Sequence, residues 1–198
     1  MSSFDSGRPI ILGSTSRYRS ELLQRLGFRF DIIAPEVEET ALPDEATDAM
    51  AKRLALAKAK AVARLHPRAL VIGSDQVADL HGQALGKPGN HARATEQLQR
   101  MRGQTVIFQT AVAVVCRELN FEQVELAPVV VKFRDLSDAE IESYLLRETP
   151  YDCAGSAKSE GLGIALLDSI QSDDQTALVG LPLIRTCAML RAAGARLL

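Results

Sequence analysis

The sequence predicts a mixed α/β fold, and three features carry that reading. Apolar runs of strand length alternate with amphipathic helices over the N-terminal half. Two long β-branched stretches then follow as a hairpin, and a short apolar helix closes the chain. At 198 residues, 46% hydrophobic and 24% charged, the chain has an ordinary globular composition and the length to bury a substantial core. No repeat, low-complexity tract or linker divides it, so residues 1–198 read as a single domain.

Pro9-Ile-Ile-Leu-Gly13 reads as a short buried strand, and Ser14-Thr15-Ser16 offers N-caps for a helix running to about Gly27. At roughly 100° per residue, Arg19 falls on the face of Leu22, Leu23 and Leu26. An arginine there either snorkels at the core margin or places a guanidinium beside the free N–H groups of a helix N-terminus, where a phosphate is favoured. Phe28 to Ala34 reads as a second strand, ended by Pro35 and followed by the acidic run Glu36-Val-Glu-Glu39. That run is either a solvated loop or, beside a phosphate site, a source of carboxylates for a divalent cation.

Ala46 to Leu65 reads as a helix with the stripe Met50, Leu54, Ala57, Ala61 and Leu65; Lys52 lies nearly opposite it, and Lys58 lies at its edge, facing a possible cleft. The apolar run from Leu70 ends in Gly73-Ser74 and delivers Asp75. A hairpin turn at Gly82 then leads to Gly86-Lys87-Pro88. Asn90 to Met101 is an amphipathic helix, Thr105 to Cys116 and Glu122 to Phe133 are the long strands, and Ser137-Asp-Ala-Glu140 is a capping box for a helix to about Arg147. Pro150 to Gly163 is a small-residue loop. Ile164 to Ile170 and Thr176 to Val179 read as short strands, and Leu183 to Leu190 as the closing helix behind Pro182.

A net charge of −2 and few aromatics give neither the basic face nor the stacking platform of a protein that binds nucleic-acid polymers. No run approaches the roughly 20 apolar residues of a membrane span, and Met1 to Pro9 lacks the apolar core of a secretory signal, so the expected location is the cytoplasm. Cys116, Cys153 and Cys187 lack CxxC spacing and read as buried small hydrophobes, while His66, His81 and His91 form no metal-ligand pair. The chain has no GxxxxGK[ST] loop, no GxSxG elbow, and only two glycines, Gly161 and Gly163, of a GxGxxG pattern; Ser14 and Ser16 read as a capping turn rather than as nucleophiles. What remains is a set of cations, Arg19, Lys58, Lys87 and Lys158, with the acids Glu39, Asp75 and Glu160. Such a set suits a polyphosphate, whose oxygens the cations and a metal neutralise while an acid activates water.

Six stretches sharpen this: Leu12-Gly-Ser-Thr-Ser-Arg-Tyr-Arg-Ser-Glu-Leu-Leu23, Val37-Glu-Glu-Thr40, Arg53-Leu-Ala-Leu-Ala-Lys-Ala-Lys-Ala61, Ile72-Gly-Ser-Asp-Gln-Val77, Gly86-Lys87-Pro88 and Val179-Gly-Leu-Pro-Leu183. Through them, over residues 9–194, the chain resembles the Maf family of nucleoside triphosphate pyrophosphatases. The resemblance implies an elongated mixed β-sheet flanked by helices, with two lobes and a central cleft, the Maf/ITPase-like arrangement. It implies hydrolysis of a nucleoside triphosphate to its monophosphate and pyrophosphate with a divalent metal, Mg²⁺ or Mn²⁺, in the cytoplasm, and homodimers are common in the family. Carried over by motif, Asp75 is the expected proton acceptor, Ser14, Arg19, Lys58 and Lys87 the phosphate ligands, and Glu39 with Asp75 the metal ligands.

Cys153-Ala-Gly-Ser-Ala-Lys-Ser-Glu-Gly161 resembles the branch acting on 7-methyl-GTP, whereas the branch acting on dTTP and UTP usually has glutamine where Glu160 stands. The resemblance also assigns Tyr18 and Gln76 to base selection; the branch usually carries Pro-Trp before the helix arginine, where this chain has Arg17-Tyr18. N7-methylation makes guanine cationic, so an aromatic face with a carboxylate favours it over an unmethylated base. The alternatives are a family member acting on dTTP, UTP or other modified nucleotides, and a non-catalytic nucleotide-binding regulator of cell division.

Overall fold

The computed structural model describes residues 7–197; Met1 to Ser6, most of the stretch read for a secretory signal, lie outside the described residues. The elements are β1 (Ile10–Leu12), α1 (Arg17–Gln24), β2 (Asp31–Ile32), α2 (Thr47–Leu65), β3 (Leu70–Leu80), β4 (Gln83–Leu85), α3 (His91–Met101), β5 (Thr105–Cys116), β6 (Phe121–Phe133), α4 (Asp138–Glu148), β7 (Leu167–Gln171) and α5 (Leu183–Ala192). They build the expected α/β fold around a mixed sheet in the order β2-β1-β3-β5-β6-β7, with β4 also on β3. β1 runs parallel to β2 and β3, and the other pairs are antiparallel. No helix of the described residues is long and apolar enough to cross a membrane.

One edge of β3 pairs continuously with β5, from Val71 to Asp79. The other edge is divided, with β1 on Leu70 to Ile72 and β4 on Ala78 to Leu80. Between them, residues 73–77 have no strand partner on that edge among the described residues, so the sheet forks at mid-strand. The buried side chains divide about the fork. Leu80, Leu85, Leu98, Phe108, Phe133 and Tyr144 belong to one lobe, built on β4, α3 and α4. In the other, α1 and α5 cover one face of the sheet, and α2 covers the opposite face.

Side chains of a strand alternate between faces. Val71, Gly73, Asp75 and Val77 therefore point towards α2, while Ile72, Ser74 and Gln76 point away from it. Gly73 is required by the approach of the helix. A Cβ there would lie 2.6 Å from the backbone nitrogen of Ala59 and closer still to the carbonyl oxygen of Ala55. The buried face of α2 is correspondingly alanine-rich, with Ala51, Ala55, Ala59 and Ala63 fully buried.

Several sequence expectations are corrected. The buried stripe of α2 is Ala51, Leu54, Ala55, Lys58, Ala59, Val62 and Ala63, whereas Leu65 is 77% exposed. Alanines surround the helix, so periodicity left its rotation loosely determined, and the small-residue contact with β3 selected it. β3 does not end at Gly73-Ser74 but runs through Asp75 to Leu80, because β5 pairs with it throughout. The strand expected over Phe28 to Ala34 shrinks to Asp31–Ile32, an edge strand with two residues paired to β1. Of the two short late strands, the first forms but starts later, as β7 at Leu167 behind a 3₁₀ segment, Leu162–Leu166, and the second is a 3₁₀ turn, Ala177–Val179. Cys116 is buried as expected, but Cys153 and Cys187 are only half-buried.

Replacing Gly73 with alanine should force α2 and β3 apart and destabilise the protein by roughly 1–3 kcal/mol, the usual cost of overpacking. Thermal unfolding should register this as a Tm lowered by several degrees; an unchanged Tm would contradict the close approach.

Candidate active site

The fork in the sheet opens into a cleft of about 640 Å³, within the size range of small-molecule sites. Ser14, Tyr18, Arg19, Glu39, Lys58, Asp75, Gln76, Lys87 and Glu160, spread along most of the sequence, all line it. Lys158 does not. Its ammonium is 2.6 Å from Glu148 Oε1, at the C-terminal end of α4, outside the cleft.

At the centre, Lys58 Nζ donates to Asp75 Oδ1 at 2.6 Å and lies 2.7 Å from Glu39 Oε1. Lys58 and Asp75 are buried, while the Glu39 side chain is 58% exposed. Lys58 reaches Asp75 because α2 lies directly on β3 at Gly73, two residues before the acid and on the same face. Burial opposes ionisation of Glu39, but the Lys58 hydrogen bond and the charges of Lys58, Lys87 and Arg19 outweigh it and hold the carboxyl below its ordinary range. Those three cations thus act on one carboxylate, although they come from α2, the loop after β4, and α1.

Ser16 caps α1 by accepting from the Arg19 backbone N–H at 3.5 Å. Ser14 Oγ accepts from the Ser16 N–H at 3.2 Å and from Arg19 Nη1 at 3.3 Å, as a capping turn should. Burial pushes the Arg19 pKa down, while Asp75 and Glu39 pull it up. Arg19 Nε donates to the Gly180 carbonyl at 2.9 Å, which settles its orientation: the side chain crosses towards the cleft rather than escaping to solvent.

The opposite wall is the turn at 177–180, held through its carbonyls. Gln76 Nε2 lies 3.0 Å from the oxygens of Ala177 and Leu178 and 2.8 Å from Thr110 Oγ1. Thr110 Oγ1 donates to the Ala177 oxygen at 3.0 Å, and the buried Ser74 hydroxyl lies 2.9 Å from the Gly180 oxygen. Gly180 has φ +118°, and a Cβ there would sit 3.6 Å from Arg19 Nε. These side-chain bonds take the place of a strand partner, which is why Thr176 to Val179 curls into a turn. Behind it, the fully buried Asp174 carboxylate caps α5 by accepting from Ile184 N at 2.9 Å and Arg185 N at 3.3 Å.

Tyr18 and Glu160 line the cleft beside Cys153, whose thiol is 3.9 Å from the Tyr18 hydroxyl and feels the charge of Glu160. Glu148 shapes the loop that carries Glu160, its Oε2 accepting from Leu162 N at 2.7 Å while Oε1 holds Lys158. Sequence reasoning passed over Ser74 and Thr110, whose only signal is a hydroxyl within an apolar strand, and Asp152, which also lines the cleft.

As possible metal ligands, the site presents the oxygens of Asp75 and Glu39, and no cluster of three or more His, Cys, Asp or Glu side chains suited to a metal occurs among the described residues. Two hard oxygen donors fit Mg²⁺ or Mn²⁺, which take one or two carboxylates and complete their shell with water and substrate phosphate.

Residues 9–193 match the Maf family, described as Maf-like protein. The chain is 67% identical over 192 residues to a 7-methyl-GTP pyrophosphatase from Polaromonas sp., covering 97% of this chain and 88% of the relative. It is 68% identical over 191 residues, 96% of each chain, to a 7-methyl-GTP pyrophosphatase from Albidiferax ferrireducens. A Burkholderia pseudomallei protein of the same name is 59% identical over 188 residues, 93% of this chain and 87% of that one.

In Lys58→Met, the Glu39 carboxyl should lose its main partner and titrate at a higher pH, read from its side-chain carbon resonance. In the wild type, the stability that this pairing contributes is fully present above the unfolded value near 4.5 and disappears as the pH falls through the lowered folded value. The variant should lack that increment.

Proposed function

Since the chain belongs to the Maf-like protein family, we propose that it hydrolyses 7-methyl-GTP to 7-methyl-GMP and pyrophosphate. The observation that carries this reading is the polarity of one cleft. Arg19, Lys58 and Lys87 act together on Glu39, which shares the Lys58 ammonium with Asp75. Tyr18 and Glu160 line the same cleft in a separate group with Asp152 and Cys153. A triphosphate laid along the cleft brings its phosphates to the cations and its base to the aromatic ring and carboxylate.

Asp75 acts as the proton acceptor. It takes a proton from water as the water oxygen bonds to the α-phosphorus, and pyrophosphate departs with the electrons of the broken bond between that phosphorus and the α–β bridging oxygen. Lys58 orients Asp75 through its 2.6 Å hydrogen bond. Arg19, Lys58 and Lys87, with the Ser14 hydroxyl, bind phosphate oxygens and offset the charge that develops on them. Glu39 and Asp75 would hold the divalent metal, which supplies Lewis-acid polarisation of the phosphates.

At the other end, Glu160 makes no hydrogen bond among the described residues and is exposed towards the cleft, so its charge is available to a cationic base. Tyr18 offers a π face to the same base. Gln76 acts on this site at one remove, because its amide nitrogen is engaged by the 177–178 carbonyls and positions that wall.

With Mg²⁺ or Mn²⁺ and a panel of 7-methyl-GTP, GTP, dTTP, UTP and CTP, the protein should release pyrophosphate fastest from 7-methyl-GTP; orthophosphate as the product would overturn the reaction. Asp75→Asn should lower kcat by about 10²–10⁴-fold, the usual contribution of a general base, with a much smaller change in nucleotide affinity. Glu160→Gln should reduce the ratio of kcat/KM for 7-methyl-GTP to that for GTP, and an unaltered ratio would remove Glu160 from base selection.

A further inference from the structure

The base end of the cleft holds a carboxylate that the mechanism above does not use. Asp152 follows α4 in the turn before the 3₁₀ segment Ala154–Ser156 and lines the cleft beside Tyr18. The Tyr18 hydroxyl donates to it, 3.2 Å from Oδ2 and 3.4 Å from Oδ1, joining residues 134 positions apart in sequence. Arg17 completes the group. Its guanidinium carbon is 4.7 Å from the centre of the Tyr18 ring, and its Nη2 donates to the Tyr18 hydroxyl at 2.8 Å.

The Cys153 thiol lies 3.6 Å from Asp152 Oδ1. Burial pushes that thiol up to about 12, and Asp152 and Glu160 add to the shift, so it is neutral at physiological pH and no nucleophile. The same two carboxylates therefore act on a common corner. Arg17 offsets one of them, and the corner keeps a net negative charge, opposite in sign to the cations at the phosphate end. An ionised carboxylate has about four acceptor positions. Asp152 is exposed and keeps capacity for a ligand while holding Tyr18.

We infer that Asp152 is a specificity-determining residue, which favours a positively charged nucleobase by placing a second carboxylate beside it and by fixing the Tyr18 ring through its hydroxyl. The inference rests on the pyrophosphatase reading, which puts the base at this end. Its two parts separate by substitution. Asp152→Asn removes the charge but keeps an oxygen that can accept from Tyr18, whereas Asp152→Ala removes both.

The test uses the full chain and a probe without phosphates. Calorimetry should show wild-type protein binding 7-methylguanosine in preference to guanosine, and Asp152→Asn should cut that preference about tenfold or more, the usual weight of a charge-assisted contact. The ratio of kcat/KM for 7-methyl-GTP to that for GTP should fall in step, and Asp152→Ala should lower it further. A preference unchanged in Asp152→Asn, or lost only in Asp152→Ala, would overturn charge selection and leave Asp152 as a support for the ring. The nucleoside measurement needs no turnover. Failure of every nucleotide to yield pyrophosphate would thus sink the pyrophosphatase reading alone, whereas normal turnover with an intact preference in Asp152→Asn would sink this inference alone.

Discussion

The site depends on the contact between α2 and β3 at Gly73. Without a side chain there, the helix backbone lies against the strand, and a lysine on its buried face meets an acid two residues further along the strand. Burying an ammonium is unfavourable unless it is paired and hydrogen-bonded. Lys58 satisfies that condition with two carboxylates, one buried and one exposed to the cleft. The pairing orients the proposed proton acceptor and brings the proposed metal ligands to one point.

The forked edge of β3 turns that contact into a cavity. If β1 and β4 met along β3, Asp75 would lie beneath a continuous sheet. Because they stop at Ile72 and start again at Ala78, the middle of the strand faces open space, while β5 keeps its other edge paired. The unpaired stretch is closed on the far face by the 177–180 turn, whose carbonyls are taken by Ser74, Gln76, Thr110 and Arg19. Side chains that a motif reading assigns to substrate thus have a prior task in holding this wall. Arg19 commits Nε to Gly180 and keeps Nη1 beside Ser14 in the cleft lining, where the proposed function gives it a second task.

Much of this was legible in the chain, for identifiable reasons. The long strands, the capping box at Ser137 and the helix at Asn90 rest on local signals that tertiary structure had no cause to override. The elements that changed are those whose conformation is decided by remote groups. Thr176 to Val179 has strand composition but is curled by the side chains of β3 and β5, and Phe28 to Ala34 is limited by the three-residue length of β1. Lys158 stood in the same small-residue loop as Glu160, and only Glu148 on α4 separates their roles.

The sequence by itself determined the fold class, the family and the identity of the charged groups, because periodicity, caps and motif spacing are local properties of the chain. Only the tertiary structure decided which of those groups share a cavity and which face of α2 is buried. Both follow from how closely two backbones can approach and which buried charges find partners, and these are properties of residues far apart in sequence. Asp152 illustrates the division: its loop was visible, but its place at the cleft is defined by a tyrosine 134 residues earlier.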